Sequence, residues 1–174
     1  MRAVHDKRQW RHDPKYFLVN GVVRQSPEQP ERIARLTAGA EAAGWHLEAP
    51  ADHGMGPLAA VHTAEYLVFL RTIHARWQRI EGASPEVVPN IHPVRQPGSY
   101  PRSAVGQAGY HQADTACPIG EHTWESAYWS AQSAASAADL VLSGERAAYA
   151  LCRPPGHHAF ADIDRKSTRL NSSH

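Results

Sequence analysis

Along the first 60 residues, short apolar segments flank a longer amphipathic one. Ile33, Leu36 and Ala40 recur at the spacing of one helical face, and Gly44 is a typical helix stop. The flanking apolar segments are too short for stable helices and favour strands. The predicted strands are residues 1–5 and 45–50, and the predicted helix is residues 25–44.

Two more helices are predicted from the same periodicity. In residues 56–80 the apolar positions of one face are Leu67, Leu70, Ile73, Trp77 and Ile80. The other helix is predicted over residues 122–144, with Thr123 as the predicted N-cap and Gly144 as the predicted C-cap. Its predicted buried stripe consists of Trp124, Tyr128, Ala131, Ala135, Ala138 and Leu142, whose alanines would allow close approach to a sheet.

The last apolar segment, residues 147–152 (AAYALC), reads as a short buried strand. A helix, a glycine, a strand and a loop then follow one another, which is typical of an α/β protein with a parallel sheet. Between the second and third helices, residues 82–101 have prolines at 85, 89, 93, 97 and 101, so a regular helix is excluded and a long loop is predicted.

Composition excludes several classes of function. The formal net charge is +1, so no strong field favours nucleic acid as a partner. No apolar run is long enough to span a bilayer, and the N-terminus lacks the apolar core of a secretory leader. Cys117 and Cys152 fit neither a zinc site nor a redox pair, and a reduced, cytoplasmic setting is expected.

The candidate chemistry lies just after the last predicted strand. In residues 153–158 (RPPGHH), two prolines end the strand and Gly156 permits a bend. His157 and His158 then follow as adjacent residues. Open α/β sheets bind ligands at the carboxyl ends of their strands. Two imidazoles in one cleft can divide the work, one staying charged as an electrostatic stabiliser while the other transfers a proton. A histidine pair on a solvated loop is the alternative interpretation.

Four segments together resemble one known family. Residues 153–160 (RPPGHHAF) resemble the signature of the histone deacetylase superfamily, which has an arginase-like fold. Residues 28–33 (EQPERI) and 58–70 (LAAVHTAEYLVFL) resemble its early E-x-P-x-R stretch and its histidine–tyrosine helix. Residues 113–131 (ADTACPIGEHTWESAYWSA) resemble the acetylpolyamine amidohydrolase branch, which also carries an insertion where residues 82–101 lie.

The resemblance implies a three-layer α/β fold, with a parallel sheet flanked by helices, truncated here to about its first half. It further implies hydrolysis of an acetyl amide on an amine, either an acetylpolyamine or acetyl-lysine, with Zn²⁺ or another divalent metal as cofactor. His158 corresponds to the general base and acid, and His157 to the charged stabiliser. Asp114, Arg32 and Gly156 correspond to substrate-binding or channel residues, although Arg32 also suits an exposed helix position.

The sequence departs from the family after residue 162. Residues 1–162 are expected to be the N-terminal part of a catalytic domain, and residues 163–174 (IDRKSTRLNSSH) a polar, artefactual tail. The family's metal ligands and catalytic tyrosine have no counterpart here, so the fragment is expected to be inactive and to bind zinc weakly. The family also implies a homodimer, with Ile91 and Tyr100 of the insertion as candidate contacts.

Two other functions remain open from the residues. A cysteine hydrolase would use Cys152 and His157, although a thiol at the end of a buried strand is normally inert. A non-catalytic binding or assembly module would use RPPGHH only as a turn. A serine hydrolase is disfavoured because no G-x-S-x-G motif occurs.

Overall fold

A computed structural model describes residues 1–93 and 100–164 of the 174-residue chain. They divide into two compact units: the sheet unit (residues 1–13, 28–60 and 122–155) and the hairpin unit (residues 14–27, 61–121 and from 156 onward). In chain order the elements are β1 (Arg2–Val4), a 3-10 helix (Lys7–Arg11), β2 (Tyr16–Val19), β3 (Val22–Gln25), α1 (Glu31–Ala42), β4 (His46–Glu48), α2 (Gly56–Ala59), α3 (Ala64–Trp77), α4 (Ala104–His111), α5 (Thr123–Leu142) and β5 (Ala148–Ala150).

The sheet unit is built on a parallel sheet with strand order β4-β1-β5. Ala3 of β1 pairs with Leu47 on one side and with Tyr149 on the other. Parallel neighbours need long crossover connections, and α1 supplies the one between β1 and β4. All three predicted strands are confirmed, and so is the α/β class with a parallel sheet flanked by helices.

Helix α1 packs as its periodicity predicts. Ile33 and Ala40 are buried with Leu151, and Leu36 packs against this cluster. The helix ends at Ala42, and Gly44 follows with a φ of +68°, a left-handed conformation that glycine adopts without strain. Full burial of an isoleucine or leucine side chain, such as that of Ile33 or Leu151, contributes about 1.5–3 kcal/mol to the stability of the fold.

Helix α5 differs from its prediction, because its buried face is largely polar. The predicted stripe is wrong: Leu142 is 83% exposed. The buried positions are Thr123, Ser126, Ser130, Gln132, Ser133 and Ala137. The side chains of Thr123, Ser126, Gln132 and Ser133 form hydrogen bonds with neighbouring polar groups. The Ser126 hydroxyl, for example, donates to the Arg8 carbonyl at 2.9 Å. The caps also shift, since His122 is the N-cap and Ser143 the C-cap, with Gly144 just beyond the helix.

The hairpin unit begins with an antiparallel pair that is missing from the predicted elements. Strands β2 and β3 pair from Tyr16–Gln25 to Val19–Val22. Asn20 and Gly21 form the connection, with φ of +52° and +73°. An Asn-Gly pair between apolar runs is the strongest local hairpin signal, so the sequence carried the information for this element.

The helix predicted over residues 56–80 is wrong as a single helix, because the chain breaks between α2 and α3. Thr63 caps α3, and its side-chain oxygen accepts a hydrogen bond from the Tyr66 amide at 3.3 Å. The predicted face survives within α3, where Leu67, Ile73 and Trp77 are buried, whereas Ile80 is 37% exposed beyond the helix end.

The core of the hairpin unit consists of Tyr66, Phe69, Ile73, Trp77, Val87, Ala108 and Ile119. Val87 belongs to the proline-rich segment and pairs with Ile119 in an isolated antiparallel bridge. Gly109 of α4 lets the backbone of this segment approach closely, since a Cβ there would lie 1.6 Å from the Ile91 carbonyl oxygen. No helix or strand occurs in the described part of residues 82–101; residues 94–99 lie outside the described residues.

Candidate functional site

The two adjacent histidines occupy a turn of the hairpin unit that follows β5 in the chain. The ring centroids of His157 and His158 are 4.2 Å apart, with an angle of 54° between their planes. His157 is exposed and His158 is half-buried. The amide of Ala159 donates to the Gly156 carbonyl at 3.0 Å, which closes the turn around the pair. Both rings can therefore act on the same small group.

Gly156 opens this turn without needing the conformational freedom of glycine. Its φ lies outside the left-handed region, and an added Cβ would meet nothing within 4 Å. The bend at residue 156 is present as predicted, but its backbone would also admit alanine. A role for Gly156 in a substrate channel stays a prediction.

The segment that leaves the histidine turn is held by backbone hydrogen bonds on both sides. The Thr63 amide donates to the Ala161 carbonyl at 2.9 Å. The Phe160 carbonyl accepts a hydrogen bond from His62 Nδ1, 3.0 Å away. The Asp164 amide donates to the His111 carbonyl, and the Ala113 amide donates to the Asp164 carbonyl, both at 2.8 Å. Residues 160–164 are thus anchored to the start of α3 and to the end of α4.

Asp114 lies on the loop that these bonds join to the histidine segment. Its Oδ1 accepts a hydrogen bond from the Ala116 amide at 2.8 Å, which forms a local turn, and the residue is half-buried. The structure therefore places Asp114 and the histidine turn in one unit, linked through Ala113 and Asp164. Contact of Asp114 with a substrate stays a prediction.

Beneath this loop lie a buried amide and a half-buried thiol. Gln112 is 2% exposed, and its Nε2 donates to the Cys117 carbonyl at 2.6 Å. The Cys117 thiol donates to the Asp114 carbonyl at 3.5 Å. Burial raises the pKa of Cys117, and the negative charges of Asp114 and Asp164 add to this effect. Cys117 therefore remains a protonated thiol that closes the loop from below.

His111 is a functional candidate that the sequence patterns above did not single out. It is 1% exposed at the end of α4. Its Nδ1 lies 2.6 Å from the Asp162 carbonyl oxygen, and its Nε2 lies 2.9 Å from the Tyr100 hydroxyl. The signal available in the sequence was its position just before the Asp114 loop, in the stretch GYHQAD.

Arg153, the first residue of RPPGHH, is the centre of a polar network in the sheet unit. It is fully buried, and its Nη1 donates to the Gln9 carbonyl at 2.8 Å. Its backbone amide donates to Gln9 Oε1 at 2.6 Å. Its Nε lies 2.8 Å from Glu28 Oε1, close enough for an ion pair although the pair does not meet the angular requirement of a hydrogen bond. The chain that leaves β5 is thus anchored at its first polar residue.

Arg32 shares this carboxylate from the surface. Its Nη1 donates to Glu28 Oε2 at 3.2 Å, and its side chain is 54% exposed. Burial lowers the pKa of Arg153, whereas the charge of Glu28 opposes that shift. The channel role that the family implies for Arg32 stays a prediction.

The thiol of Cys152 lies at the end of β5 and is unsuited to nucleophilic attack. It donates to the Ser130 carbonyl at 3.4 Å. Burial raises its pKa, and because the thiolate is the reactive form, this disfavours the cysteine hydrolase hypothesis.

No metal centre is assembled in the described part of the chain. Among residues 1–93 and 100–164, no group of three or more His, Cys, Asp or Glu side chains is placed to hold a metal ion. Within the same residues, no helix has both the length and the apolarity that a membrane crossing requires.

Comparison with known proteins gives consistent matches. The family model described as histone deacetylase domain matches residues 26–165. The acetylpolyamine amidohydrolase of Burkholderia pseudomallei (strain 1710b) is 50% identical over 163 residues, which cover 93% of this chain and 47% of that protein. The acetylpolyamine amidohydrolase of Mycoplana ramosa is 36% identical over 165 residues, which cover 94% of this chain and 48% of that protein.

Solved structures agree with these matches. A crystal structure of acetylpolyamine aminohydrolase from Burkholderia pseudomallei aligns with a TM-score of 0.89 and 46% identity, over 95% of this chain and 48% of the other. The HD domain of HDA15 aligns with a TM-score of 0.60 and 20% identity, over 93% of this chain and 38% of the other, which supports the fold alone. The chain spans about half the length of the curated relatives it matches.

Proposed function

The chain belongs to the histone deacetylase family, and from this premise we propose that its catalytic domain hydrolyses the acetyl amide of an acetylated amine. The observation that carries the proposal is the histidine turn, where two imidazole rings lie 4.2 Å apart in an RPPGHH motif. The two most similar relatives described above are both named acetylpolyamine amidohydrolases.

In this proposal the two histidines have different tasks. His158, the half-buried ring, takes a proton from the attacking water and returns it to the leaving amine. His157, the exposed ring, acts as the electrostatic stabiliser of the negative charge that develops on the carbonyl oxygen. Positioned proton transfer contributes typically 10²–10⁴-fold to a rate.

Three further residues are proposed to contact the substrate. Asp114 is proposed to meet a cationic amine from its loop; its half-buried carboxylate and the backbone bond between its segment and the histidine segment support this. Arg32 and Gly156 complete the set that the family implies. Acetylpolyamines and acetyl-lysine peptides are the two substrate classes proposed.

A divalent metal, Zn²⁺ in the first instance, is proposed as the cofactor because of the family. In the family's chemistry such a metal polarises the amide carbonyl and activates water. The residues that the structure describes do not provide a ligand set for it, so none of the steps assigned to this chain passes through a metal. We also propose that the 174-residue chain is inactive alone and that residues 163–174 are a tail foreign to the family, of which Asp164 still bonds to the backbone of His111 and Ala113.

We further propose a homodimer that uses residues 82–101, and a reducing, cytoplasmic setting. Ile91 is 56% exposed and Tyr100 is 40% exposed, so both side chains offer apolar surface to a partner. Both Cys117 and Cys152 are free thiols, which suits a reducing compartment.

A chimera tests the activity with this chain's own residues. Residues 1–162 replace the matching part of the Burkholderia pseudomallei enzyme, and acetate release is measured from acetylated polyamines and from acetyl-lysine peptides. His158→Ala should lower turnover by about two to four orders of magnitude, as expected when a proton shuttle is lost. His46→Ala is the matched control, because His46 is exposed on β4, and its turnover should equal the parental value.

Each alternative has its own signature in the same assay. Near-parental turnover of the His158→Ala variant would show that the role assigned to His158 is wrong. A folded chimera that hydrolyses no acyl amide would favour the non-catalytic module. Loss of turnover in Cys152→Ala, together with parental turnover that resists chelators, would favour the cysteine hydrolase. The raised pKa of the half-buried Cys152 thiol predicts instead that this variant keeps its activity.

A further inference from the structure

His111 lies at a junction of three segments in the hairpin unit. It ends α4, its Nδ1 meets the carbonyl of Asp162, and its Nε2 meets the hydroxyl of Tyr100. Asp162 belongs to the segment that continues from the histidine turn, and Tyr100 stands near the end of the proline-rich segment. One buried ring therefore connects α4, the segment after His158 and the end of the insertion.

The ring is held in one orientation. A carbonyl oxygen only accepts, so the 2.6 Å contact with Asp162 requires a hydrogen on Nδ1. The Tyr100 hydroxyl occupies the opposite nitrogen at 2.9 Å. Four aromatic rings surround the imidazole with centroids 4.5–5.6 Å away, those of Tyr66, Phe69, Tyr100 and Tyr110. Packing and hydrogen bonding together fix where the Asp162 carbonyl lies.

The position of that carbonyl determines where the histidine turn is held. The turn is closed by the bond from Ala159 to Gly156, and the chain is tied again at Ala161 and at Asp164. Between these two backbone ties, the buried side chain of His111 adds a hydrogen bond to the Asp162 carbonyl. Loss of it would leave the carbonyl of the half-buried Asp162 without this donor, which costs free energy where water has limited access.

We propose, on the basis of the function proposed above, that His111 is a positioning residue for His157 and His158. It acts by donating from Nδ1 to the Asp162 carbonyl, and Tyr100 supports it by holding Nε2. It touches no reacting atom in this role. The candidate site then includes a third histidine besides His157 and His158. Through Tyr100, the proline-rich segment also helps to hold these two histidines in position.

The first test uses Cys117 as a reporter in the 174-residue chain with Cys152→Ser. Cys117 is half-buried, and its thiol lies 3.9 Å from the Asp164 carbonyl and 3.5 Å from the Asp114 carbonyl. If the hydrogen bond from His111 to Asp162 holds the segment in place, the thiol of Cys117 should react slowly with a thiol reagent in the parent chain. His111→Ala should speed labelling by a thiol reagent about tenfold, the change in open population expected from one lost buried hydrogen bond. A parent chain whose Cys117 reacts as fast as in urea would overturn the proposal.

The second test reads the histidine turn directly. In NMR spectra of the labelled chain, His111→Ala should shift the ring resonances of His157 and His158. The ring of His5 in the sheet unit, which accepts a hydrogen bond from Trp10 at 3.2 Å, should keep its resonances. Neither readout requires hydrolysis, so failure of the proposed function and failure of this proposal give different results.

Conservative variants separate positioning from simple core packing. The side-chain amide of His111→Asn can donate to the Asp162 carbonyl from nearly the place of Nδ1, so it should restore slow labelling and parental ring resonances in part. Tyr100→Phe removes only the hydroxyl at Nε2 and should have a smaller effect than His111→Ala. Unshifted His157 and His158 rings in His111→Ala would contradict the proposal. Equal effects of alanine and asparagine would contradict it too, and if alanine unfolds the whole chain, the asparagine and Tyr100→Phe variants decide.

Discussion

Two arginines share one carboxylate in the sheet unit, and they provide a matched pair of perturbations. Arg153 contacts Glu28 from the interior, where its side chain is 1% exposed. Arg32 contacts the same carboxylate from the surface, where its side chain is 54% exposed. Methionine at each position keeps most of the side-chain volume and removes the charge. The two variants therefore compare a buried and an exposed partner of the same anion.

The structure predicts a large difference between the two losses. Arg153→Met removes the contact to the Gln9 carbonyl at 2.8 Å and the ion pair at 2.8 Å, and it leaves Glu28 largely buried. Removing one partner of a buried pair costs about 3–5 kcal/mol, and here Glu28 would lose its buried counter-ion while it keeps the exposed contact with Arg32. Arg32→Met removes one exposed contact, which is worth about 0–1 kcal/mol.

Urea unfolding followed by tryptophan fluorescence and by far-UV circular dichroism measures both losses. The free energy of unfolding should fall by about 3 kcal/mol or more for Arg153→Met and by less than about 1 kcal/mol for Arg32→Met. Glu28→Gln should resemble Arg153→Met, because it leaves the buried guanidinium unpaired. Equal losses for the two arginine variants would refute the reasoning that burial, rather than the ion pair itself, sets the magnitude.

Three further predictions follow from other parts of the chain. Gly109→Ala should lower the free energy of unfolding by about 1–3 kcal/mol or more through overpacking, since its Cβ would lie 1.6 Å from the Ile91 carbonyl oxygen. Gly39→Ala, at an exposed position of α1, should be neutral or stabilising, and equal unfolding midpoints for the two variants would contradict this. Burial lowers the pKa of His5 from 6.5. Because the unfolded chain then binds the proton more tightly, the contribution of His5 to stability is complete above pH 6.5 and declines as the pH falls toward the folded pKa. His5→Asn should therefore weaken the pH dependence of the urea midpoint between about pH 7.5 and about pH 5, and an unchanged dependence would count against this reasoning. Ile91→Lys in the chimera should shift light scattering toward monomer, and an unchanged dimer would exclude Ile91 as a contact.

The sequence by itself determined the class of fold and the family. Strand and helix periodicities are local, so β1, α1, β4 and β5 could be placed from apolar spacing and from the glycine that ends α1. The RPPGHH motif is contiguous, and its identification needs no tertiary contact. The Asn20–Gly21 turn and the Thr63 cap are equally local features, so the hairpin and the start of α3 could also be predicted from the sequence alone.

Only the tertiary structure decided which polar groups are buried together. Helix α5 shows this most clearly, because no member of its predicted apolar stripe is more than half-buried, while Ser126, Gln132 and Ser133 are fully buried. A hydrophobic pattern predicts burial by transfer free energy alone, and it has no term for hydroxyl and amide groups that find partners on other segments. The contacts of Arg153 with Gln9 and Glu28 join residues more than a hundred positions apart, and those of His111 with Tyr100 and Asp162 join separate segments of the hairpin unit. Such contacts depend on how the chain returns through space, which periodicity along the sequence does not record.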